Sequence, residues 1–189
     1  AGPPKPNRFF GIFYFLWNGV HNQTEVYDVS KILARDPGAM ATSDSPPWGL
    51  RGYMHFWGEP LFGYYRNDDA WVLRRHAHLL ADAGIDTLIF DVTNRFTYRD
   101  VYMKLCEVFA QIRSEGGRTP QITFMCNTHA GDTASELFND LYKPGHHADL
   151  WFRWQGKPLL ICDPATVTDE LRAFFTLRRA HWPFEMVNT

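Results

Sequence analysis

The sequence predicts an α/β protein built around a parallel β-sheet. Four short apolar runs each end in a polar residue, and a segment with helical periodicity follows each of them. Strands that are buried on both faces have this composition, and such strands are typical of parallel sheets. The runs are residues 10–17, 87–91, 122–127 and 159–163.

Length and composition restrict the classes of function. The chain has 189 residues, of which 45% are hydrophobic and 21% charged, so we expect one globular domain over residues 1–189. The formal net charge of -2 gives no electrostatic basis for binding nucleic acid. No apolar run reaches the roughly 18 residues that a membrane span needs. The compartment stays open, with a secreted or periplasmic location favoured.

The first predicted strand covers residues 9–17, and a long connection to residue 67 follows it. This connection contains a short predicted helix at residues 29–34 and many aromatic residues. Connections of this length inside compact domains are usually functional or disordered, and the aromatic content argues against disorder. Two interpretations stay open, and both can hold together: the aromatic residues pack the loop onto the end of the sheet, or they form a flat apolar surface of the kind on which sugar rings stack.

The remaining elements follow from capping residues, apolar spacing and glycines. A helix from Asn67 or Asp68 ends at Gly84, where a left-handed residue is expected. A further helix is predicted to open at Thr133 with a capping box that Glu136 completes. The other predicted elements are helices at residues 98–114 and 169–179 and a fifth strand at residues 184–187.

Two architectures fit this order of elements, an open doubly wound sheet and part of a (β/α)8 barrel. A barrel needs eight strands and typically about 250 residues, so five strands can form only its first half. The doubly wound nucleotide-binding folds place a glycine-rich motif after the first strand. Residues 17–20 contain a single glycine, which lowers the probability of that alternative.

Ligands of βα proteins bind at the carboxyl ends of the strands, which makes Asp91 a candidate. A carboxylate at the end of a buried strand is costly unless it is bonded or used. Glu59 lies in a Trp-Gly-Glu-Pro turn, where apolar neighbours can raise the pKa of an acid. We predict both as catalytic. The structural alternatives are amide or Arg95 pairing for Asp91, and a turn cap or arginine pairing for Glu59.

Aromatic and hydrogen-bonding residues near the strand ends are the candidates for contacting substrate. In an extended segment His55 and Trp57 share one face, which sets an imidazole beside an indole. Asp163 precedes Pro164, so a turn role competes with a site role there. The predicted substrate-binding residues are Trp17, His55, Trp57, Tyr64, Asn94, Asn127, His129 and Asp163.

No pattern in the sequence indicates a metal or another cofactor. His76 and His78 are two positions apart and do not share a helix face, and His146–His147 lack a third ligand at a familiar spacing. The three cysteines form no CxxC pair and are predicted to be buried free thiols. A Gly-x-Ser-x-Gly elbow is also absent, which argues against a serine hydrolase.

Five segments in a fixed order carry a resemblance to a known group of enzymes. They are residues 13–17, 55–60, 63–68, 83–91 and 156–160. Across residues 9–164 the chain resembles the front half of the barrel proteins of glycoside hydrolase families 71 and 99. The resemblance implies the N-terminal half of a (β/α)8 TIM barrel with a long insertion after strand 1. The remainder of the barrel is then expected on the same or another polypeptide.

The resemblance also implies a function. It predicts a metal-independent glycoside hydrolase that acts on an oligosaccharide or polysaccharide, with sugar-binding residues after the first strand. In family 99 the catalytic carboxylates lie in the later half of the barrel, for which this chain has no matching positions. Two alternatives stay open, a non-catalytic carbohydrate-binding fragment and a complete doubly wound protein that binds another ligand. The order of the strands distinguishes the doubly wound protein from part of a barrel.

Overall fold

The structure is a computed structural model that describes residues 8–17, 27–41 and 58–181. In these ranges the strands are β1 (Gly11–Tyr14), β2 (Thr87–Val92), β3 (Gln121–Cys126), β4 (Arg153–Trp154), β5 (Lys157–Ile161) and β6 (Thr176–Arg178). The α-helices are α1 (Val29–Arg35), α2 (Ala70–Asp82), α3 (Arg99–Ser114), α4 (Ala130–Leu137) and α5 (Asp169–Phe174). None of the described helices is both long and apolar enough to cross a membrane.

Five strands run parallel and neighbour one another in chain order. The order is β1, β2, β3, β5 and β6, while the short β4 pairs antiparallel with the start of β5. Phe90 of β2 lies between Tyr14 of β1 and Phe124 of β3. Consecutive parallel strands joined by right-handed crossovers place their connecting helices on one face of the sheet.

The even-numbered residues of β1, β2 and β3 face those helices. The ring of Tyr14 lies 5.9 Å from that of His76 on α2, and the ring of Phe124 lies 5.3 Å from that of Tyr102 on α3. Tyr142, after α4, packs on the same side of Phe124. The described helices α2, α3 and α4 therefore cover one face, as in a barrel. The doubly wound alternative needs helices on both faces.

The odd-numbered residues form the opposite face, which is the interior of a barrel. Ile89, Met125 and Ile161 are only half-buried there, and 39% of Phe13 is exposed. In the described part of the chain, β1 pairs along one side only, with β2. In the described part of the chain the sheet therefore shows a second face, called here the concave face, and an open edge, which are features of an unclosed barrel.

Several predicted boundaries are confirmed and others are wrong. Gly84 has a φ of 80° and ends α2, because the next amide, that of Ile85, donates to the Leu80 carbonyl. The cap of α2 is Asp69, whose carboxylate accepts from the amides of Trp71 and Val72. The predicted cap Asn67 instead donates its side-chain amide to the Phe15 carbonyl at 2.9 Å.

Two helix predictions fail for physical reasons. The capping box at Thr133 is wrong, since α4 already begins at Ala130 and the Thr133 hydroxyl donates to the His129 carbonyl. The helix predicted for residues 169–179 ends at Phe174, because Thr176–Arg178 pairs with β5 as β6. Sheet pairing outweighs helical periodicity there. The strand predicted at residues 184–187 lies outside the described residues, as does half of the predicted insertion, residues 18–26 and 42–57.

Candidate functional site

The carboxyl ends of the parallel strands meet at one edge of the sheet, called here the carboxyl rim. It comprises residues 15–17, 91–98, 126–132 and 162–166. The Thr128 amide donates to the Thr93 carbonyl at 2.8 Å, which joins the loops after β2 and β3. The rim holds six of the predicted site residues, namely Trp17, Asp91, Asn94, Asn127, His129 and Asp163.

Asp91 is buried at the end of β2, with 3% of its surface exposed. Its position in the strand assigns it to the concave face, and its Oδ1 accepts a hydrogen bond from the Thr93 amide at 3.0 Å. Arg95 pairs with Glu136 at 2.8 Å. Of the two structural alternatives for Asp91, the amide contact is therefore present. The carboxylate also acts on Tyr98, whose pKa is raised by burial and by the Asp91 charge.

The loop after Asp91 is held in an unusual conformation. Arg95 has a φ of 84° and Tyr98 a φ of 53°, values that cost bulky side chains about 1–3 kcal/mol each. The Asn94 side chain stabilises the loop, because its Nδ2 donates to the Tyr98 hydroxyl at 2.6 Å and its Oδ1 accepts from the Phe96 amide. Strain of this kind collects at functional sites.

A cavity of about 520 Å³ lies between this loop and α4. On one wall, Glu136 accepts hydrogen bonds from Arg95 Nη1 at 2.8 Å and from the Thr97 hydroxyl at 2.6 Å. Burial opposes ionisation of Glu136, but these two hydrogen bonds and the Arg95 charge outweigh it and lower its pKa. The Phe96 ring is 49% exposed beside them. The cavity therefore combines an aromatic surface with ordered polar groups.

Sequence reasoning missed Arg95, Phe96 and Glu136. Arg95 and Phe96 could be found from their position, because they lie in the loop after a strand that ends in a candidate acid. The sequence pattern places Glu136 in a helix cap. Its contact with Thr97, 39 residues earlier, leaves no local pattern in the sequence.

The loops after β3 and β5 form a second part of the rim. Asn127 and His129 are exposed, and His129 Nδ1 lies 3.7 Å from Asp132 Oδ2. Asp163 Oδ1 accepts from the Ala165 amide at 2.9 Å, so the turn role weighed for it is present. Asn127 and Asp163 nevertheless line the same small cavity, of about 140 Å³.

A row of aromatic rings leads from β1 onto the rim. The Phe13 and Phe15 rings are 5.3 Å apart, and the Phe15 and Trp17 rings are 4.8 Å apart. Phe15 is 51% exposed. The indole Nε1 of Trp17 is buried, and among the described residues it has no hydrogen-bond acceptor. A buried donor of this kind is unusual in a folded protein.

The remaining predicted site residues are separate from this group or outside the described residues. Glu59 is exposed, and no described contact joins it to Asp91. The Tyr64 hydroxyl lies 2.9 Å from Ser30 Oγ on α1. His55 and Trp57 lie outside the described residues. The predicted catalytic pair is thus not seen to assemble.

A second feature that sequence reasoning missed is a hydrogen bond of 2.8 Å between the Tyr14 hydroxyl and His76 Nδ1. The rings of Phe62 and Tyr65 lie 5.8 Å and 5.7 Å from the imidazole. Burial lowers the pKa of His76 and raises that of Tyr14. Across the described residues, no group of three or more His, Cys, Asp and Glu side chains could hold a metal ion.

No protein-family model and no curated protein matches the chain. Its fold is similar to two solved structures of the GH99 endo-α-mannosidase from Bacteroides thetaiotaomicron. One matches 84% of this chain and 46% of its own, with a TM-score of 0.50 and 16% identity. The other, in complex with BIS-TRIS-propane, matches 80% and 40%, with a TM-score of 0.46 and 14% identity.

The chain therefore spans less than half the length of these enzymes. At this level of identity the likeness concerns the fold alone. With the sequential parallel sheet, it confirms the predicted fold class, an α/β chain that matches the N-terminal part of a TIM barrel.

Proposed function

We propose that this chain is the sugar-binding front half of a glycoside hydrolase barrel that acts on an oligosaccharide or polysaccharide. The observation that carries the proposal is the carboxyl rim, where strand order brings Trp17, Asp91 and Asn127 to one edge. Enzymes with this barrel architecture bind their substrates at this edge. The fold that the chain shares with a glycoside hydrolase supports the choice of substrate class.

The side chains of the rim suit a sugar. The exposed rings of β1 and the indole of Trp17 offer apolar faces on which a pyranose can stack. The indole N–H is buried and has no acceptor among the described residues, so a sugar hydroxyl that accepts from it would have to enter the packing around Trp17. Asp91 and Asn127 supply an acceptor and an amide on the neighbouring strands. Small numbers of placed polar groups in a largely apolar pocket fix ligand orientation.

The cavity beside Phe96 would hold a further sugar unit. Its volume of about 520 Å³ lies within the range of about 300–1,000 Å³ of small-molecule sites. Arg95 and Glu136 are already fixed by their mutual ion pair, so their remaining lone pairs and donors are oriented before a ligand arrives. This arrangement lowers the entropic cost of binding.

Hydrolysis of a glycosidic bond needs two carboxyl groups on opposite sides of it. We propose Asp91 as the rim carboxylate of this chain, acting as the catalytic residue or contacting the sugar at the reacting centre. The resemblance to family 99 implies catalytic carboxylates in the later half of the barrel, so the proposal takes the partner of Asp91 from the remainder of the barrel. Under the alternative of a non-catalytic binding fragment, the rim binds the sugar without that pair.

Binding is tested with the 189-residue chain and oligosaccharides prepared from an α-mannan, with glucan oligosaccharides for comparison. Isothermal titration calorimetry should detect binding, and Trp17→Ala should weaken it about 10-fold or more. Phe10→Ala is the matched control, because Phe10 is 69% exposed at the other end of β1. Equal affinity of both variants and the wild type would remove Trp17 from the site.

Catalysis is tested with Asp91→Asn in the complete barrel protein. The asparagine side chain keeps an oxygen that can accept the hydrogen bond from the Thr93 backbone N–H. The free energy of unfolding should therefore change by less than about 1 kcal/mol. Turnover, measured by the release of reducing ends, should fall about 100-fold or more. Unchanged turnover with a large loss of stability would make Asp91 structural. Sugar binding without turnover by the unmodified protein would favour the non-catalytic alternative.

A further inference from the structure

Two of the three cysteines lie side by side in the sheet. Cys126 ends β3 and Cys162 follows β5, and the pairing of Met125 with Ile161 sets the two cysteines opposite one another. Both residues are buried on the helix-facing side of the sheet. No role in the proposed sugar site uses either thiol.

The strand register places the two side chains next to one another. The Cys162 side chain raises the pKa of Cys126, and the Cys126 side chain lowers the pKa of Cys162. Cys162 Sγ also lies 3.7 Å from the Ala130 carbonyl oxygen and 3.8 Å from Thr166 Oγ1. Neighbouring strands are about 4.8 Å apart, which lies inside the Cα separation of about 4.4–6.8 Å found in disulfides. The backbone therefore already has a spacing that a disulfide accepts.

A small molecule can approach the pair. Cys126 and Thr166 line the cavity of about 140 Å³ at the carboxyl rim, and Cys162, which does not line it, lies 3.8 Å from Thr166 Oγ1. That volume is a few times the roughly 30 Å³ that one water molecule occupies in the liquid, so a solute of similar size fits. A bulky disulfide reagent does not.

We infer that Cys126 and Cys162 form a modification site, at which a hydroperoxide of the size of hydrogen peroxide converts the two thiols into a disulfide joining β3 to β5. The Cys162 thiolate attacks one peroxide oxygen, which breaks the O–O bond, forms a sulfenic acid and releases hydroxide. The Cys126 thiol then attacks the sulfenic sulfur and displaces its hydroxyl group as water. Hydroxide takes up a proton, so two thiols and one peroxide give one disulfide and two molecules of water.

The position of the pair links this chemistry to the rim. Cys126 directly precedes Asn127 and Cys162 directly precedes Asp163, and both of these following residues line the same cavity. A bond between the cysteines fixes the separation of the two strand ends. Oxidation would therefore lock the geometry of this part of the rim. The inference does not depend on which ligand the rim binds.

Cys106 provides an internal control. It is buried in α3, and in the described part of the chain neither of the other two thiols contacts it. Burial raises its pKa to about 12, which disfavours its thiolate. It should therefore stay reduced under the conditions that oxidise the pair.

The experiment treats the reduced, folded chain with hydrogen peroxide, removes the oxidant with catalase, and alkylates the remaining thiols in denaturant. Intact mass should show the number of alkylated thiols falling from three to one, with the loss of two hydrogens. Peptide mapping should join the segments that contain Cys126 and Cys162. Cys106→Ser should leave no free thiol after oxidation, and Cys126→Ser should leave a sulfenic acid on Cys162 that dimedone traps.

Three alkylated thiols after peroxide treatment would overturn the inference, and so would a disulfide that includes Cys106. Oxidation of the cysteines one by one to sulfinic acids would also overturn it. The measurement on the wild-type chain needs no variant to fold. Oxidised glutathione is the matched reagent, and it should react at least about 10-fold more slowly than peroxide because it does not fit the cavity.

Discussion

Different types of residue adopt positive φ angles at the two ends of the parallel sheet. At the amino ends of β2, β3 and β5, glycines take these conformations, namely Gly84, Gly116 and Gly156. After β2 and β3, at the carboxyl rim, the residues are Arg95, Tyr98 and His129. Gln155 belongs to the hairpin turn between β4 and β5, in which both central residues need this conformation. His147, also away from the rim, has a φ of 51°, so the contrast concerns the residues next to the strand ends. There glycine relieves strain at the amino end, whereas the rim retains it.

The ends also differ in how their polar groups are satisfied. At the amino end, Arg113 donates to the Thr119 side chain and to the carbonyls of Thr119 and Asp149, at 2.8–3.1 Å. The rim instead has exposed amides and a buried indole N–H without an acceptor among the described residues, whereas cavities occur at both ends. The contrast indicates that one end is built for stability and the other for a ligand.

The largest expected effect comes from a rim glycine that is needed for space. A Cβ on Gly131 would lie 2.0 Å from the Thr166 carbonyl oxygen, so Gly131→Ala must push α4 away from the loop after β5. We expect a loss of about 3 kcal/mol in the free energy of unfolding. Gly58→Ala is the control, because its Cβ would meet no atom of the described residues within 4 Å and its φ is not positive. A wild-type urea midpoint for Gly131→Ala would show that the two loops do not pack as described.

At the amino end, Arg113→Ala should cost about 2–3 kcal/mol, because it leaves carbonyls without a charged donor. Arg74→Ala is a matched control. Its ion pair with Glu115 is partly exposed and is expected to contribute little to the free energy of unfolding. Both variants should bind oligosaccharide like the wild type. Weakened binding by either one would contradict the separation of stability from ligand contact.

Much of the fold was predictable from the sequence, because the signals are local. The apolar runs of β2, β3 and β5 and the glycine that ends α2 identify their elements without tertiary information. The prediction fails where a partner distant in sequence decides the outcome. Pairing with Leu160 makes Leu177 a strand residue, although its neighbours have helical spacing.

The site was predictable in part for the same reason. Asp91 and Asn127 follow strands, so their place on the rim comes from chain order alone. The hydrogen bond from Tyr14 to His76 and the contact of Thr97 with Glu136 join residues 62 and 39 positions apart. Such pairs leave no spacing pattern. Glu59 shows the converse, a promising local motif without a described contact to the candidate acid.

A smaller effect tests whether the strain at the rim serves binding. His129 has a φ of 47° and a largely exposed side chain, so His129→Gly should stabilise the fold by up to about 1 kcal/mol. If the imidazole contacts the sugar, affinity should fall at the same time. His147→Gly is the matched control, since His147 has a φ of 51° away from the rim and should change stability alone. Equal sugar affinities of the two variants would remove His129 from the site.

The smallest expected effect is a pH dependence that originates below the rim, where His76 hydrogen-bonds Tyr14 of β1. Burial lowers the pKa of His76 in the folded chain, so the unfolded chain binds the proton more readily. In the unfolded chain His76 has the ordinary histidine pKa of about 6.5. The stability that His76 contributes to the fold is therefore complete well above about pH 6.5 and is lost as the pH falls below that value.

Urea midpoints at about pH 7.5 and about pH 5.5 should therefore differ more for the wild type than for His76→Gln. His78→Gln, an exposed change on the same helix, should keep the wild-type difference. If His76→Gln also keeps the wild-type difference between the two urea midpoints, the imidazole does not hold the segment around Phe62 and Tyr65 against β1.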